Sequence, residues 1–134
     1  MRTIKSEEIT RAVREMCINA NCHLNPDIRE ALEKGIETEK SEVSKCILKN
    51  LILNADIADR KEVPICQDTG MAVFFVEIGK EVFVEGDTIT DAINKGVSAG
   101  YTAGYLRKSV VQDPLDRVNT KDNTPPVIYY DYTD

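Results

Sequence analysis

Pro64-Ile65-Cys66-Gln67-Asp68-Thr69-Gly70 lies at the midpoint of the 134-residue chain, between a half with helical periodicity and a half rich in strand-forming residues. Apolar residues flank this stretch, and its final glycine can take a positive φ. The four polar side chains between them therefore belong to a turn that joins two kinds of structure. A thiol, a carboxamide, a carboxylate and a hydroxyl in succession are typical of coordinating and proton-transferring sites.

The same residues are also good turn formers. Asp68 can form an Asx-turn, Thr69 can bond its own backbone, and Gly70 can take the left-handed conformation. Turn composition alone favours this structural interpretation, because Asx-turn residues far outnumber active-site residues. The functional interpretation stays open at this point.

The first sixty residues predict three amphipathic helices. Apolar residues recur at helical spacing after Ser6, which we take as the first N-cap. Asn25-Pro26 predicts the start of a second helix, with proline at its first position. Ser41 predicts the start of a third, which ends near Ala58 to Arg60. Three helices thus precede the central stretch.

The second half predicts a small mixed sheet with one packed helix. Met71 to Ile78 is almost continuously apolar, which is typical of a central strand covered on both faces. Glu81 to Glu85 predicts a second strand, and Val127 to Tyr130 predicts a terminal strand that follows two prolines. Thr90 is the expected N-cap of the intervening helix. The predicted fold class is α+β.

Three glycines recur at four-residue intervals on that last helix, at Gly96, Gly100 and Gly104. Glycine inside a helix is less favourable than alanine by about 1 kcal/mol per residue. We therefore expect another backbone to approach this face closely, because such packing would offset the loss.

The composition excludes several classes of partner. The chain carries a formal net charge of -6, 30% charged residues and 42% hydrophobic residues, an ordinary balance for a folded protein. The acidic charge argues against nucleic acid and anionic membrane as partners, since both require a basic surface. The amino-terminal residues show no apolar signal-peptide core, and no apolar run reaches membrane-spanning length, so the expected location is the cytoplasm.

The cysteines show neither a C-x-x-C pair nor zinc-finger spacing. Cys17 and Cys46 fall on apolar helix faces and are expected to be buried. Cys22 and His23 adjoin a helix end. They could form a metal-binding pair, but such a pair would lack further nearby ligands, so a capping role is preferred for His23. Cys66 differs because it stands in a turn beside a carboxylate.

Residues 64–76, Pro-Ile-Cys-Gln-Asp-Thr-Gly-Met-Ala-Val-Phe-Phe-Val, resemble the signature of the alpha part of class I, iron-sulfur-dependent fumarate hydratases and related L(+)-tartrate dehydratases. Segments 91–97, 105–111 and 119–125 also resemble that alpha module, in the expected order. The resemblance covers essentially the whole chain but only the first part of the module. It implies that residues 1–134 form a single domain, an N-terminal fragment of a larger hydro-lyase alpha module.

The resemblance also implies roles for individual residues. In this family three cysteines hold a [4Fe-4S] cluster, whose open iron binds substrate as a Lewis acid. Cys66 would be one cluster ligand, Gln67 would hydrogen-bond the substrate, and Asp68 would contact the substrate hydroxyl or water and assist proton transfer. Arg107 would bind a substrate carboxylate, although it could also be a solvated helix end.

One cysteine cannot hold a four-iron cluster, so the resemblance implies a cluster in the complete enzyme and a metal-free, inactive fragment. The implied reaction is reversible addition or removal of water on a small dicarboxylate, either fumarate and malate or tartrate and oxaloacetate. The implied partners are the remaining alpha portion and a beta subunit, in a homodimer or hetero-oligomer. The competing hypothesis is a non-catalytic binding or assembly module that retains the family fold.

Two further expectations concern residues near this site. The loop from Asn119 to Asn123 is expected to be hydrogen-bonded and to help shape the pocket. The tyrosines of the second half are expected in the core or at an interface, namely Tyr101, Tyr105, Tyr129 and Tyr130.

Overall fold

A computed structural model describes residues 2–134 and confirms the mixed α+β class. Within these residues, four helices and four short strands follow one another. Their bounds are β1 (Arg2–Lys5), α1 (Ser6–Cys22), α2 (Pro26–Thr38), α3 (Glu42–Lys61), β2 (Val73–Gly79), β3 (Val82–Glu85), α4 (Ile89–Ala103) and β4 (Val127–Thr133).

The strands form two separate parallel pairs. β1 pairs with β3, with Arg2 opposite Val82, and β2 pairs with β4, with Val73 opposite Val127. The pattern predicted the last three strands, but it missed β1, which is only four residues long and continues directly into α1.

The prediction that β2 is covered on both faces is wrong. Its side chains alternate, so that Phe74 and Val76 pack against the core whereas Phe75 remains 80% exposed. The outward Phe75 ring stacks on Tyr129 of β4, with centroids 5.2 Å apart. The apolar run therefore arises because both faces of β2 are apolar. One face packs against α1 and α4, and no other described element covers the second face.

The core lies between α1 and α4, which cross at very short distance. A Cβ added at Gly96 would lie 2.6 Å from Val13 Cβ and 2.7 Å from the Thr10 carbonyl oxygen. A Cβ at Gly100 would lie 2.8 Å from Cys17 Cβ. The predicted backbone approach is confirmed. Around this crossing the buried cluster comprises Val13, Cys17, Ile93, Val97, Tyr101 and Leu106.

Two of the predicted N-caps are wrong. Ser6 lies inside α1 and is buried, and its Oγ accepts a hydrogen bond from the Asp87 N–H at 3.0 Å. Thr88, not Thr90, caps α4 by accepting a hydrogen bond from the Asp91 N–H at 3.1 Å. In both cases a neighbouring strand or turn fixes the start of the helix, which the local sequence pattern does not show.

The predicted starts of α2 and α3 are confirmed, at Asn25 and at Ser41, whose hydroxyl accepts a hydrogen bond from the Ser44 N–H. The predicted burial of Cys46 is wrong, because the face of α3 that carries it is exposed. No α2 residue is buried, and α3 buries only two alanines. The exposed apolar side chains of α3 are Val43, Ile47, Leu51, Leu53 and Ile57. Among residues 2–134, no helix is long and apolar enough to cross a membrane.

Candidate active site at the central turn

The central turn joins α3 to β2 and has no regular secondary structure. Asp68 Oδ1 accepts a hydrogen bond from the Gly70 N–H at 3.2 Å, and Gly70 has a φ of 61°. These two features confirm the Asx-turn geometry. The side chains of Cys66, Gln67 and Asp68 are all exposed. The turn is thus a structural unit that also presents its polar groups to solvent.

The entry to the turn is fixed by two helices. The Ile65 N–H donates to the Asn21 carbonyl at the end of α1, at 2.9 Å. The Asn54 side-chain amide of α3 donates to the Ile65 carbonyl, at 2.8 Å. Because both backbone groups of Ile65 are bonded, the backbone entering the next residue, Cys66, is held in place. The Cys66 sulfur is exposed and accepts a hydrogen bond from the Asp68 N–H at 3.5 Å.

Thr69 connects the turn to Arg107. Its Oγ1 accepts a hydrogen bond from the Arg107 N–H at 2.9 Å and donates one to the Arg107 carbonyl at 3.2 Å. The turn chemistry suggests a bond from this hydroxyl to the backbone of Thr69 itself, but the hydroxyl bonds Arg107 instead. The structure therefore brings two predicted site segments together, although 38 residues separate them.

Tyr101 holds the turn from the core side. Its hydroxyl lies 3.0 Å from the Thr69 carbonyl oxygen and 3.2 Å from that of Gly70, and it donates to them. The Tyr101 side chain is 2% exposed, and its burial raises the pKa of the phenol above the ordinary value. The hydroxyl thus stays protonated and remains a donor to the turn at neutral pH.

Asn123 bonds both the turn and the Arg107 segment. It is 0% exposed, and its Nδ2 donates to the Gly70 carbonyl at 3.1 Å. Its Oδ1 accepts hydrogen bonds from the N–H groups of Ser109 at 2.7 Å and Val110 at 3.0 Å. The prediction of a hydrogen-bonded loop at residues 119–123 is confirmed. The sequence pattern missed Asn123 as the link between the turn and the Arg107 segment.

Of the tyrosines, only Tyr101 belongs to the core. Tyr105 is 91% exposed, and Tyr129 and Tyr130 are also exposed, so a core position is wrong for these three. A place at an interface with another chain stays a prediction for them.

An apolar groove of about 500 Å³ lies beside the turn but is not a good dicarboxylate site. Its polar lining residues are Thr69, Tyr101 and Asn21, and the others are apolar residues of α1 and of the segment from Met71 into β2. Cys66, Asp68 and Arg107 are not among its lining residues. A dianion would lose hydration there without gaining a cationic partner, so the exposed side of the turn is the better candidate.

The thiols are distributed over three different environments. Cys17 is buried in the core, which raises its pKa to about 11, and Cys22 is also buried. Cys46 lies on the exposed surface of α3, and Cys66 lies on the turn. Within the described part of the chain, no three histidine, cysteine, aspartate or glutamate side chains are grouped to hold a metal ion. Cys66 can supply one ligand.

The Cys22–His23 pair is structural. The His23 N–H donates to the Asn19 carbonyl at 3.0 Å, which confirms its capping position at the end of α1. Its ring Nδ1 is bonded to the Asp59 carboxylate of α3. Burial and the nearby Glu62 charge raise the pKa of the Cys22 thiol.

Comparison with known proteins identifies relatives of two kinds. A protein of Methanocaldococcus jannaschii provisionally named L(+)-tartrate dehydratase subunit alpha is 39% identical over 117 residues, which are 87% of this chain and 41% of that protein. The aerobic class I fumarate hydratase of Escherichia coli K12 is 31% identical over 129 residues, which are 93% of this chain and 23% of that enzyme. The L(+)-tartrate dehydratase subunit alpha of the same strain is 26% identical over 117 residues, 87% of this chain and 38% of that subunit.

The chain therefore spans about two fifths of the length of the alpha subunits and about a quarter of the length of the fumarate hydratase. In addition, residues 10–134 match the family model described as fumarate hydratase (Fumerase). That match includes the central turn, the Arg107 segment and the Asn123 loop. Because it extends over almost all of the sequence, the chain belongs to the fumarate hydratase (Fumerase) family.

Proposed function

We propose that this chain is the N-terminal part of the alpha module of a hydro-lyase that reversibly adds or removes water on a small dicarboxylate. The observation that carries the proposal is the pair of hydrogen bonds between Thr69 and the backbone of Arg107. They join the turn that bears a thiol, an amide and an acid to a segment that bears a cation. The names of the relatives point to fumarate and malate, or to tartrate and oxaloacetate, as the dicarboxylates.

Cys66 fits the role of one ligand to a [4Fe-4S] cluster. Its thiol is exposed, and the bonds of Ile65 to Asn21 and Asn54 fix its backbone. When bound, the cluster supplies an open iron that polarises the substrate hydroxyl as a Lewis acid. The other cysteine ligands would come from outside residues 1–134, because the remaining thiols of this chain lie on α1 and α3. The chain alone is accordingly expected to be metal-free and inactive.

Arg107 and Gln67 are proposed to bind the substrate. The guanidinium of Arg107 presents two parallel N–H donors, the geometry that a carboxylate accepts best. The carboxamide of Gln67 can donate to a second oxygen of the substrate. Two directional contacts of this kind would fix the orientation of a small dianion before any bond changes.

Asp68 is proposed to move a proton. Its Oδ1 is already occupied by the Gly70 N–H, which leaves Oδ2 directed by the turn and free to exchange a proton. In the hydration direction Oδ2 would take a proton from water as the water oxygen bonds to one carbon of the double bond, while an acid from outside these residues would deliver a proton to the neighbouring carbon. In the dehydration direction that same group, as a base, would remove the carbon-bound proton while Oδ2 returns its proton to the departing oxygen as the carbon–oxygen bond breaks.

The proposed assembly rests on the names of the relatives and on exposed apolar side chains. The proposed single domain at residues 1–134 would join the remaining alpha portion, and the naming of two relatives as alpha subunits supports a beta subunit as partner. Exposed apolar side chains on α3 and β2 support contacts with such partners, in a homodimer or a hetero-oligomer. The proposed location is the cytoplasm.

The test uses the full reading frame with its partner chain, prepared anaerobically. Formation of malate from fumarate and of oxaloacetate from L(+)-tartrate identifies the substrate. Cys66→Ser should abolish turnover and lower bound iron and sulfide, whereas Cys46→Ser, which removes the other exposed thiol, should change neither. Unchanged turnover and iron content in Cys66→Ser would refute the assignment.

The competing hypothesis is a binding or assembly module without chemistry. The exposed apolar stripe of α3 favours it, since such a stripe serves association as readily as catalysis. It predicts that the wild-type complex forms and yet converts neither substrate. Turnover of either dicarboxylate by that complex excludes it.

A further inference from the structure

We infer that Thr69 is a positioning residue for Arg107, and that its hydroxyl determines where the guanidinium stands relative to the turn. The inference rests on the proposed function, in which Arg107 binds a substrate carboxylate. Thr69 itself would touch no reacting atom.

The contact is a two-point clamp. One hydroxyl accepts from the Arg107 N–H at 2.9 Å and donates to the Arg107 carbonyl at 3.2 Å. Both backbone polar groups of Arg107 are thus bonded to the same side chain. A single hydrogen bond would leave the residue free to rotate about it, whereas two bonds to the N–H and the carbonyl restrict that rotation.

The segment that carries Arg107 needs such a clamp. It follows the end of α4 and lies in neither a helix nor a strand. Tyr105, two residues earlier, has a φ of 54°, so the chain turns sharply before it reaches Arg107. The clamp therefore supplies the backbone bonding that secondary structure supplies elsewhere.

The clamp is itself anchored at both ends. The Thr69 carbonyl accepts from the Tyr101 hydroxyl of α4 at 3.0 Å, which ties it to the core. Asn123, fully buried, bonds the N–H groups of Ser109 and Val110 just beyond Arg107. Removing the Thr69 hydroxyl would release only the residue between these anchors, so the fold should survive the change.

The expected effect on binding is larger than the effect on the fold. Arg107 is an exposed residue and both of its hydrogen bonds with Thr69 are exposed, so water can replace the lost bonds. A displacement of an aligned binding group by about 1 Å can reduce rate by about 100-fold. Loss of the hydroxyl should therefore weaken substrate recognition while leaving the overall structure in place.

The test compares Thr69→Val, which removes the hydroxyl and keeps the shape, with Thr69→Ser, which keeps the hydroxyl. Both are made in the full reading frame with its partner chain. Thr69→Val should raise KM for fumarate or L(+)-tartrate about tenfold or more, with bound iron unchanged, and Thr69→Ser should stay within about threefold of wild type. Thr102→Val is the matched control, since its hydroxyl bonds only the Ser98 carbonyl within α4, and its KM should not change.

A double-mutant cycle shows whether Thr69 acts through Arg107. In an Arg107→Ala background, Thr69→Val should change KM by less than about twofold, because the group it positions is absent. Full additivity of the two changes would overturn the inference, as would a Thr69→Val enzyme with wild-type KM.

Amide hydrogen exchange provides a readout that is independent of turnover. Thr69→Val should accelerate exchange in the peptide that contains Arg107, and Thr69→Ser and Thr102→Val should not. If the wild-type complex converts neither dicarboxylate, the proposed function fails, but this measurement still decides whether the clamp exists. Unchanged exchange in Thr69→Val would remove the basis of the inference.

Discussion

Gly96→Ala tests the α1–α4 crossing most directly, because the glycine spacing in the sequence and the contacts in the structure both indicate a close approach of the two helices at this residue. In an unpacked helix this change should stabilise the protein, since alanine is favoured over glycine by about 1 kcal/mol. At this crossing the new Cβ would lie 2.6 Å from Val13 Cβ and 2.7 Å from the Thr10 carbonyl oxygen. Ordinary contacts between such atoms are about 3.5–4.0 Å, so the helices must separate by roughly 1 Å.

The magnitude follows from the balance of these two effects. Overpacking of a well-packed core typically destabilises by about 1–3 kcal/mol. The upper part of that range applies, because one clashing atom is backbone and the other is the Cβ of a β-branched residue, and neither can rotate away. With about 1 kcal/mol regained from helix propensity, Gly96→Ala should lower the free energy of unfolding by about 2 kcal/mol.

The assay is urea denaturation monitored by far-UV circular dichroism, with Gly35→Ala as the matched control. Gly35 lies inside α2, where a new Cβ would lie 3.3 Å from Leu48 Cδ1, the end of a flexible side chain. Gly35→Ala should therefore be neutral or stabilise by up to about 1 kcal/mol. If Gly96→Ala is as stable as Gly35→Ala, the close crossing of α1 and α4 is incorrect.

Two further predictions concern the cysteines. Burial raises the pKa of Cys17 from 9.0 to about 11, so the folded state keeps this proton at a pH where the unfolded state releases it. The free energy of unfolding should therefore fall by about 2 kcal/mol between those pH values. Cys17→Ala should not show this loss when its free energy of unfolding is measured by urea denaturation across the same pH series. The prediction is contradicted if the free energy of unfolding depends on pH equally in Cys17→Ala and in the wild type. Iodoacetamide should label Cys46 and Cys66 in the native protein but Cys17 and Cys22 only after unfolding, as measured by peptide mass spectrometry; native labelling of either buried thiol would contradict the core.

The features predicted correctly from sequence are those that a local pattern determines. The spacing of Gly96 and Gly100 predicts a close approach because only a packed backbone can offset the loss of helix propensity, and α1 supplies that backbone. The hydroxyl of Ser41 caps α3 through an N–H three residues away. The Ser41 cap joins neighbours in the chain. The glycine spacing is also a local pattern, although it does not identify α1 as the helix that packs on it.

The burial predictions that were wrong depend on what covers a face. An apolar stripe shows that Cys46 and Phe75 lie among hydrophobic residues, but it does not show what packs on them; Cys46 is exposed, and Phe75 stacks on Tyr129 and is still 80% exposed. The Thr69–Arg107 contact was out of reach for a different reason. Its partners are 38 residues apart and neither belongs to a periodic element, so only the folded chain brings them together.

The polar groups near the turn fall into two sets with different physical roles. The first set consists of side chains that form hydrogen bonds with the backbone of the turn and of the Arg107 segment, namely those of Thr69, Tyr101 and Asn123. Within residues 2–134 no buried side-chain nitrogen or oxygen lacks a hydrogen-bond partner. The side chains of Cys66 and Arg107 are exposed. A satisfied network of this kind resists rearrangement, because breaking it would leave buried donors and acceptors unpaired. The chain therefore fixes the backbone of the candidate site through these side chains, whereas Cys66 and Arg107 remain at its surface.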